Sequence, residues 1–137
     1  MEKQDLTSLY HCVFSLNYHL VMVTKYRRKC MTGAVLKRMK DICDHVAEKW
    51  GCRVLEFNGE PDHVHLLVSL TPKVAPSAFV NNLKTVTARL IRKEFKTHLG
   101  RFYRKPVFWS RSYCIISVGG APLSVLKQYI EQQERPE

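Results

Sequence analysis

Apolar and polar positions alternate over residues 13–24. Phe14, Leu16, Tyr18, Leu20 and Met22 fall on one side of an extended chain, and Ser15, Asn17 and His19 fall on the other. Successive side chains of a strand point to opposite faces, so this stretch predicts a β-strand. The period then changes. Val35, Leu36, Met39, Ile42, Cys43, Val46 and Trp50 recur at helical spacing and Gly51 follows as a stop. Residues 53–57 predict a short strand with Asn58-Gly59 as a hairpin-type turn, and residues 63–70 predict the next strand. Pro76 sits near the start of a second helix, with Leu83, Val86, Leu90 and Phe95 as its stripe and an end near Gly100. Residues 101–112 read as a basic loop. A last strand is expected over 113–118, broken by Gly119-Gly120, and a C-terminal helix from Pro122 to about Glu134.

The order β-α-β-β-α-β-α suits an α+β fold of the ferredoxin-like or RNA-recognition type: an antiparallel sheet with two helices on one face, and a further C-terminal helix carrying Tyr129. No linker, repeat or low-complexity stretch interrupts it, so residues 1–137 are read as a single domain. The strand at 63–70 is the most informative element. Val64, Leu66, Val68 and Leu70 form a uniformly apolar face that should cover the helices. His63, His65, Leu67 and Ser69 share the opposite face, expected to be wet.

Composition changes the picture in one respect. The chain carries 22 Lys+Arg against 12 Asp+Glu, a net charge of +10, which attracts polyanions and above all nucleic acid. Sixteen of the basic residues lie in two blocks, 25–40 and 84–111, with Tyr26, Phe95, Phe102, Tyr103, Phe108 and Trp109 interleaved. Cations for phosphates beside rings for stacking suit single-stranded nucleic acid. Lys25, Arg27, Arg28, Lys29, Lys84, Arg89, Arg92, Arg104 and Arg111 are the candidate contacts. No apolar run is long enough to span a membrane, and the first ten residues lack the apolar core of a signal peptide. Five cysteines with no Cys-x-x-Cys pair read as reduced thiols of a cytoplasmic protein.

Two imidazoles at positions 63 and 65 stand within about 7 Å of each other on one strand face. Both can reach one ion, and they suit zinc, manganese, nickel or cobalt without choosing between them. On the C-terminal helix, Leu123, Leu126 and Ile130 make the apolar stripe, with Tyr129 and Gln133 one turn apart on its flank. The Gln133 carbonyl could give a metal held by His63 and His65 an oxygen ligand. The Tyr129 hydroxyl could then face a phosphate bound to the same metal, which is a nucleophilic site. No general base stands out. Glu60 and Asp62 are near enough to be outer-shell groups, though turn or surface roles suit them better, and His19 is a further neighbour.

Four pieces in this order resemble the single-tyrosine HUH transposases, the small TnpA-type enzymes of bacterial insertion sequences that move as single-stranded DNA. They are residues 17–29 (NYHLVMVTKYRRK), 61–67 (PDHVHLL), 108–114 (FWSRSYC) and 129–133 (YIEQQ). The resemblance covers nearly the whole chain. It implies that His63 and His65 are metal ligands, Gln133 the third ligand and Tyr129 the nucleophile, with Mg2+ or Mn2+ as the metal. It further implies a homodimer in which the tyrosine helix of one subunit can complete the site of the other. The implied substrate is single-stranded DNA with hairpins at element ends, cut and rejoined through a 5′-phosphotyrosine intermediate, in the cytoplasm at the nucleoid. Other readings stay open on the residues alone: a non-catalytic RNA-recognition-like module, a metal nuclease using water, or a domesticated repeat-processing HUH nuclease. The first would want paired aromatics where the sheet carries His and Ser.

Overall fold

The computed structural model of the chain describes residues 7–9, 12–120 and 122–133. Its elements are β1 (Thr7–Leu9), β2 (Cys12–Phe14), β3 (Leu16–Val23), α1 (Gly33–Lys49), β4 (Arg53–Glu60), β5 (His63–Leu70), α2 (Pro76–Glu94), α3 (Lys96–Leu99), β6 (Cys114–Ser117) and α4 (Leu123–Gln132). Four of the strands form an antiparallel sheet in the order β4-β5-β3-β6, while β1 and β2 pair as a separate ribbon. The expected α+β architecture is present. The single strand expected over residues 13–24 is divided: Phe14 closes the ribbon against Thr7, and Leu16 opens the main sheet against Leu70.

The helices form where sequence provides their ends. Thr32 caps α1, its Oγ1 accepting from Val35 N at 3.2 Å. Gly51, at φ +70°, takes the left-handed conformation that ends the helix. Pro76 opens α2 in the position where its missing N–H is not needed. Val64, Leu66, Val68 and Leu70 alternate with half-buried neighbours along β5 and are themselves buried under α1 and α2, in one core with Leu20, Met22, Met39, Ile42, Phe79 and Leu83.

Two readings are corrected. The stripe of α2 is Phe79, Val80, Leu83, Thr87 and Ile91, while Val86, Leu90 and Phe95 are only half-buried. The polar Thr87 hides the true period. It is buried because its hydroxyl donates to the Leu83 carbonyl at 2.7 Å and accepts from Trp109 Nε1 at 2.9 Å. Asn58-Gly59 is not a turn: the two residues pair with His65 and Val64, and β4 runs on to Glu60. The hairpin loop is Pro61-Asp62, between the paired Glu60 and His63. The expected end of the last helix at Glu134 lies outside the described residues; α4 is described to Gln132.

The second face of the sheet is not wholly wet. Val21 and Val23 are fully buried there, because α4 lays Leu126 across them beside Cys114, Ile116 and Ile130. Strand parity puts His19 on that face, and register aligns Val21 with His65 and Val23 with His63. The histidines therefore lie beside a small apolar patch covered by the tyrosine-bearing helix.

Candidate functional site

Asp62 is the hub of one side of the site. It is 7% exposed, although it occupies a hairpin loop. Its Oδ1 lies 2.8 Å from His63 Nδ1 and its Oδ2 lies 3.3 Å from Arg27 Nη2. Burial opposes its ionisation, but the His63 hydrogen bond and the His63 and Arg27 charges together outweigh that and hold the carboxyl below its usual range. An ionised Asp62 can only accept from Nδ1 of His63, an arrangement that in the neutral ring would leave the lone pair on Nε2 for an electrophile. This carboxylate–imidazole arrangement is the one that orients histidine ligands in metal sites.

His65 lies beside His63 on β5. Its Nε2 is 2.9 Å from Nδ1 of His19, a diagonal neighbour on β3. Burial, with the neighbouring His19 and His63, pushes its pKa below the ordinary imidazole value. His65 is therefore neutral at pH 7, the state in which an imidazole can ligate. Both histidines line a cavity of about 680 Å³ with Val21, Arg27, Lys29, Asp62 and one flank of α4, which contributes Leu123, Lys127, Ile130 and Glu131. No group of three or more His, Cys, Asp or Glu is arranged to hold a metal ion among the described residues. Among the described residues, a third protein ligand would have to be of another residue type, such as an amide.

Tyr129 and Gln133 lie on the other flank of α4. The Tyr129 hydroxyl is 2.7 Å from Ser112 Oγ, and Gln133 Oε1 accepts from Ser110 and Ser112 at 3.3 Å each. Helical rotation explains the separation. With Leu126 seated on β3, the positions one turn either side project toward β5 on one flank and toward β6 on the other. Tyr129 takes the β6 side and the cavity residues take the β5 side. The chain thus brings His63, His65, His19, Asp62 and Arg27 together, and holds Tyr129 with Gln133 and two serines in a separate group. Burial raises the Tyr129 pKa and the Ser112 hydrogen bond only partly offsets it, so the phenol is protonated at neutral pH.

Ser110 and Ser112 were not expected as partners of the tyrosine. Their signal is parity: both share the alternation of Cys114 and Ile116, the residues of β6 that α4 covers. Their segment is fixed from behind by Lys84, whose Nζ donates to the carbonyls of Ser110, Arg111 and Ser112 at 2.8, 2.9 and 3.4 Å. Three donors meet three acceptors, so Lys84 is a structural tie rather than the free DNA contact expected of it. Removing it in Lys84→Met should cost ~1.5–3 kcal/mol, the usual contribution of hydrogen bonds to a charged group. Differential scanning calorimetry should show Tm falling by roughly 5–10 °C.

The remaining basic candidates stay at the surface or in clefts. Lys29, Arg89, Arg104 and Arg111 are exposed. Lys25 Nζ and the Arg28 guanidinium lie 5.2 and 5.8 Å from the Tyr26 ring centre. Tyr26 and Arg28 line a second cavity, about 360 Å³, with Arg101, Tyr103, Arg104 and Lys105. Arg92 lines an adjoining cleft with Lys96, Arg104 and Lys105. The turn at residues 25–28 therefore stands between two cavities, presenting Arg27 to the histidine-lined one, where Arg27, Lys29 and Lys127 are balanced by Glu60, Asp62 and Glu131, and Tyr26 with Arg28 to the basic one.

The family described as "Transposase IS200 like" matches residues 12–133. The ISDra2 transposase TnpA of Deinococcus radiodurans is 35% identical over 125 residues, covering 91% of this chain and 89% of that protein. The transposase for insertion sequence element IS200 of Salmonella typhimurium is 31% identical over 129 residues, covering 94% and 84%. A crystal structure from Deinococcus radiodurans R1, assigned as a transposase, superposes with a TM-score of 0.86 at 32% identity, covering 95% of this chain and 99% of that one. The structure of a REP-associated tyrosine transposase bound to a REP hairpin superposes at a TM-score of 0.51 and 12% identity, over 91% and 69%, and shares the fold alone.

Proposed function

The chain belongs to the IS200-like transposase family, and on that premise we propose that it cuts and rejoins single-stranded DNA at insertion-sequence ends through a phosphotyrosine formed on Tyr129. The observation that carries this reading is the cavity lined by neutral His65 and by His63, whose Nδ1 is bonded to Asp62, beneath the helix that bears the tyrosine. The fit to a divalent cation is good on the histidine side. His63 and His65 would hold Mg2+ or Mn2+, with Gln133 as the third ligand from the α4 of a second copy, and the ion would supply positive charge to the scissile phosphate. Gln133 and Tyr129 face Ser110 and Ser112 in their own chain, so a homodimer with exchanged tyrosine helices is the arrangement that completes the site. The exposed connection at Val118, Gly119 and Gly120, with Gly119 at φ +83°, gives the helix a hinge.

In the reaction the Tyr129 oxygen gives up its proton and bonds to phosphorus. The bond from phosphorus to the 3′-oxygen breaks, and that oxygen leaves as a 3′-hydroxyl after taking a proton. The 5′ end stays esterified to Tyr129. The ester keeps the energy of the broken bond, so attack by a different 3′-hydroxyl releases the tyrosine and joins new ends without ATP. The basic cavity lined by Arg28, Arg101, Arg104 and Lys105 grips the strand beside the cut, in keeping with the +10 charge.

The test is direct. A single-stranded oligonucleotide carrying a hairpin, incubated with the protein and Mn2+, should give an adduct that survives denaturation. Cleavage that yields only free 5′-phosphate ends would favour the water nuclease instead. Tyr26 carries a separate expectation. It is 38% exposed, and loss of base stacking on one ring weakens binding by ~1–3 kcal/mol. Tyr26→Ala should lower hairpin affinity by roughly 5–150-fold in a fluorescence anisotropy titration.

A further inference from the structure

Two adjacent residues of the turn between β3 and α1 have left-handed backbone: Tyr26 at φ 58° and Arg27 at φ 52°. For side chains with a Cβ this conformation is strained and persists only where the surroundings enforce it. Four hydrogen bonds do so here. Thr24 Oγ1 donates to the Arg28 carbonyl at 2.7 Å, Arg27 N to the Thr24 carbonyl at 2.9 Å, Lys25 N to the Phe108 carbonyl at 2.8 Å, and the Tyr103 hydroxyl to the Lys25 carbonyl at 2.7 Å. A second unfavourable feature accompanies the strain, because Arg27 Nη1 is buried with no hydrogen-bond partner.

Both features serve one result. The guanidinium lies against Asp62, with Nε and Nη2 at 3.4 and 3.3 Å from Oδ2, while Oδ1 of the same carboxylate holds His63 Nδ1 at 2.8 Å. The backbone at Asp62 is fixed from the same turn, since Thr24 N donates to the Asp62 carbonyl at 3.0 Å and the Thr24 hydroxyl, whose one proton is shared with the nearer Arg28 carbonyl, lies 3.1 Å from it. A carboxylate held on one oxygen by a planar fork cannot rotate freely, so its other oxygen stays on the imidazole.

We propose that Arg27 is a positioning residue for His63: through Asp62 it fixes the imidazole in the tautomer whose Nε2 lone pair faces the cavity. The proposal rests on the reading of His63 as a metal ligand, and it assigns Arg27 a role other than the DNA contact suggested by its place in a basic block.

Sign separates positioning from simple charge. A guanidinium acting only as a nearby positive charge would repel a divalent cation, and removing it would tighten binding. A positioning residue gives the opposite result. With Mn2+ alone as the probe, followed by loss of the free-ion EPR signal, Arg27→Gln should weaken binding by about tenfold or more. Arg27→Lys keeps the charge but not the fork, and it should fall in the same direction. Long-range 1H–15N NMR of the metal-free protein at pH 8 gives a second readout. His63 should show a protonated Nδ1 in the wild type and a mixture of tautomers in Arg27→Gln and in Asp62→Ala. Unchanged or tighter Mn2+ binding in Arg27→Gln, or an unchanged His63 tautomer, overturns the proposal. If the wild type binds no Mn2+, the ligand reading of His63 fails, while the NMR comparison still decides whether Arg27 orients the ring. If Arg27→Gln does not fold, Arg27→Lys decides both measurements.

Discussion

Mixing the Tyr129→Phe and His63→Ala variants should restore covalent capture of a hairpin oligonucleotide to about a quarter of the wild-type amount, although each variant alone should have lost it. The loss in each should be on the order of 10⁴-fold, as when a covalent nucleophile or its essential partner is removed. The restoration follows from where the helix packs. Leu126 seats α4 on Val21 and Val23, and from that seat Tyr129 reaches Ser112 rather than the cavity lined by His63 and His65. If a second chain supplies the tyrosine, a mixed dimer combines the intact histidines of the Tyr129→Phe chain with the intact tyrosine of the His63→Ala chain. Equal mixing makes about half of the dimers mixed, each with one working site of two. If instead α4 reseats to serve its own chain, every site lacks one component and the mixture stays inactive. Quantifying the adduct on a denaturing gel after subunit exchange distinguishes the two.

Chelation with EDTA, and separately His63→Ala, should each lower adduct formation by on the order of 10³-fold, the effect expected when several kcal/mol of charge stabilisation at the phosphate are removed. Hairpin binding should survive both treatments. The cations proposed to grip the strand, including Arg28, Arg101, Arg104 and Lys105, line a cavity on the far side of the 25–28 turn from the histidines. The slope of log affinity against log salt, near −0.7 for each single-strand phosphate neutralised, should therefore be the same for wild type and His63→Ala. Full adduct formation in EDTA would remove the metal from the mechanism. A lost salt slope in His63→Ala would mean that the histidine strand is part of the grip and that the separation of charge from chemistry is wrong.

Much of the fold was legible because the signals are local. The alternation in β5 announced which face is buried, and Val64, Leu66, Val68 and Leu70 are all in the core. The helix stripe of α1 and its Gly51 stop were equally plain. Legibility failed where a residue's environment is made by distant segments. Thr87 looks like a surface residue until Trp109 arrives to share its hydroxyl. Asn58-Gly59 carries the chemistry of a turn, yet both residues stay in the ladder because β5 pairs with them, and Pro61-Asp62 makes the reversal. Asp62 reads as a loop carboxylate and is buried because Arg27 and His63 close on its two oxygens.

The candidate site divides along the same line. Sequence by itself determined that His63 and His65 share a strand face and that Tyr129 and Gln133 share a helix flank, since both follow from periods of two and 3.6 residues that every strand and helix obeys. Only tertiary structure decided that His19 stands against His65, that a strained turn lays Arg27 on Asp62, that Lys84 is consumed by three carbonyls, and that the tyrosine flank faces β6 while the opposite flank faces the histidines. Periodicity fixes which residues of one element point together. The rotation of that element about its own axis is set by the non-local contacts that seat it, here Leu126 of the helix against two valines of β3, with Ile130 beside Cys114 and Ile116.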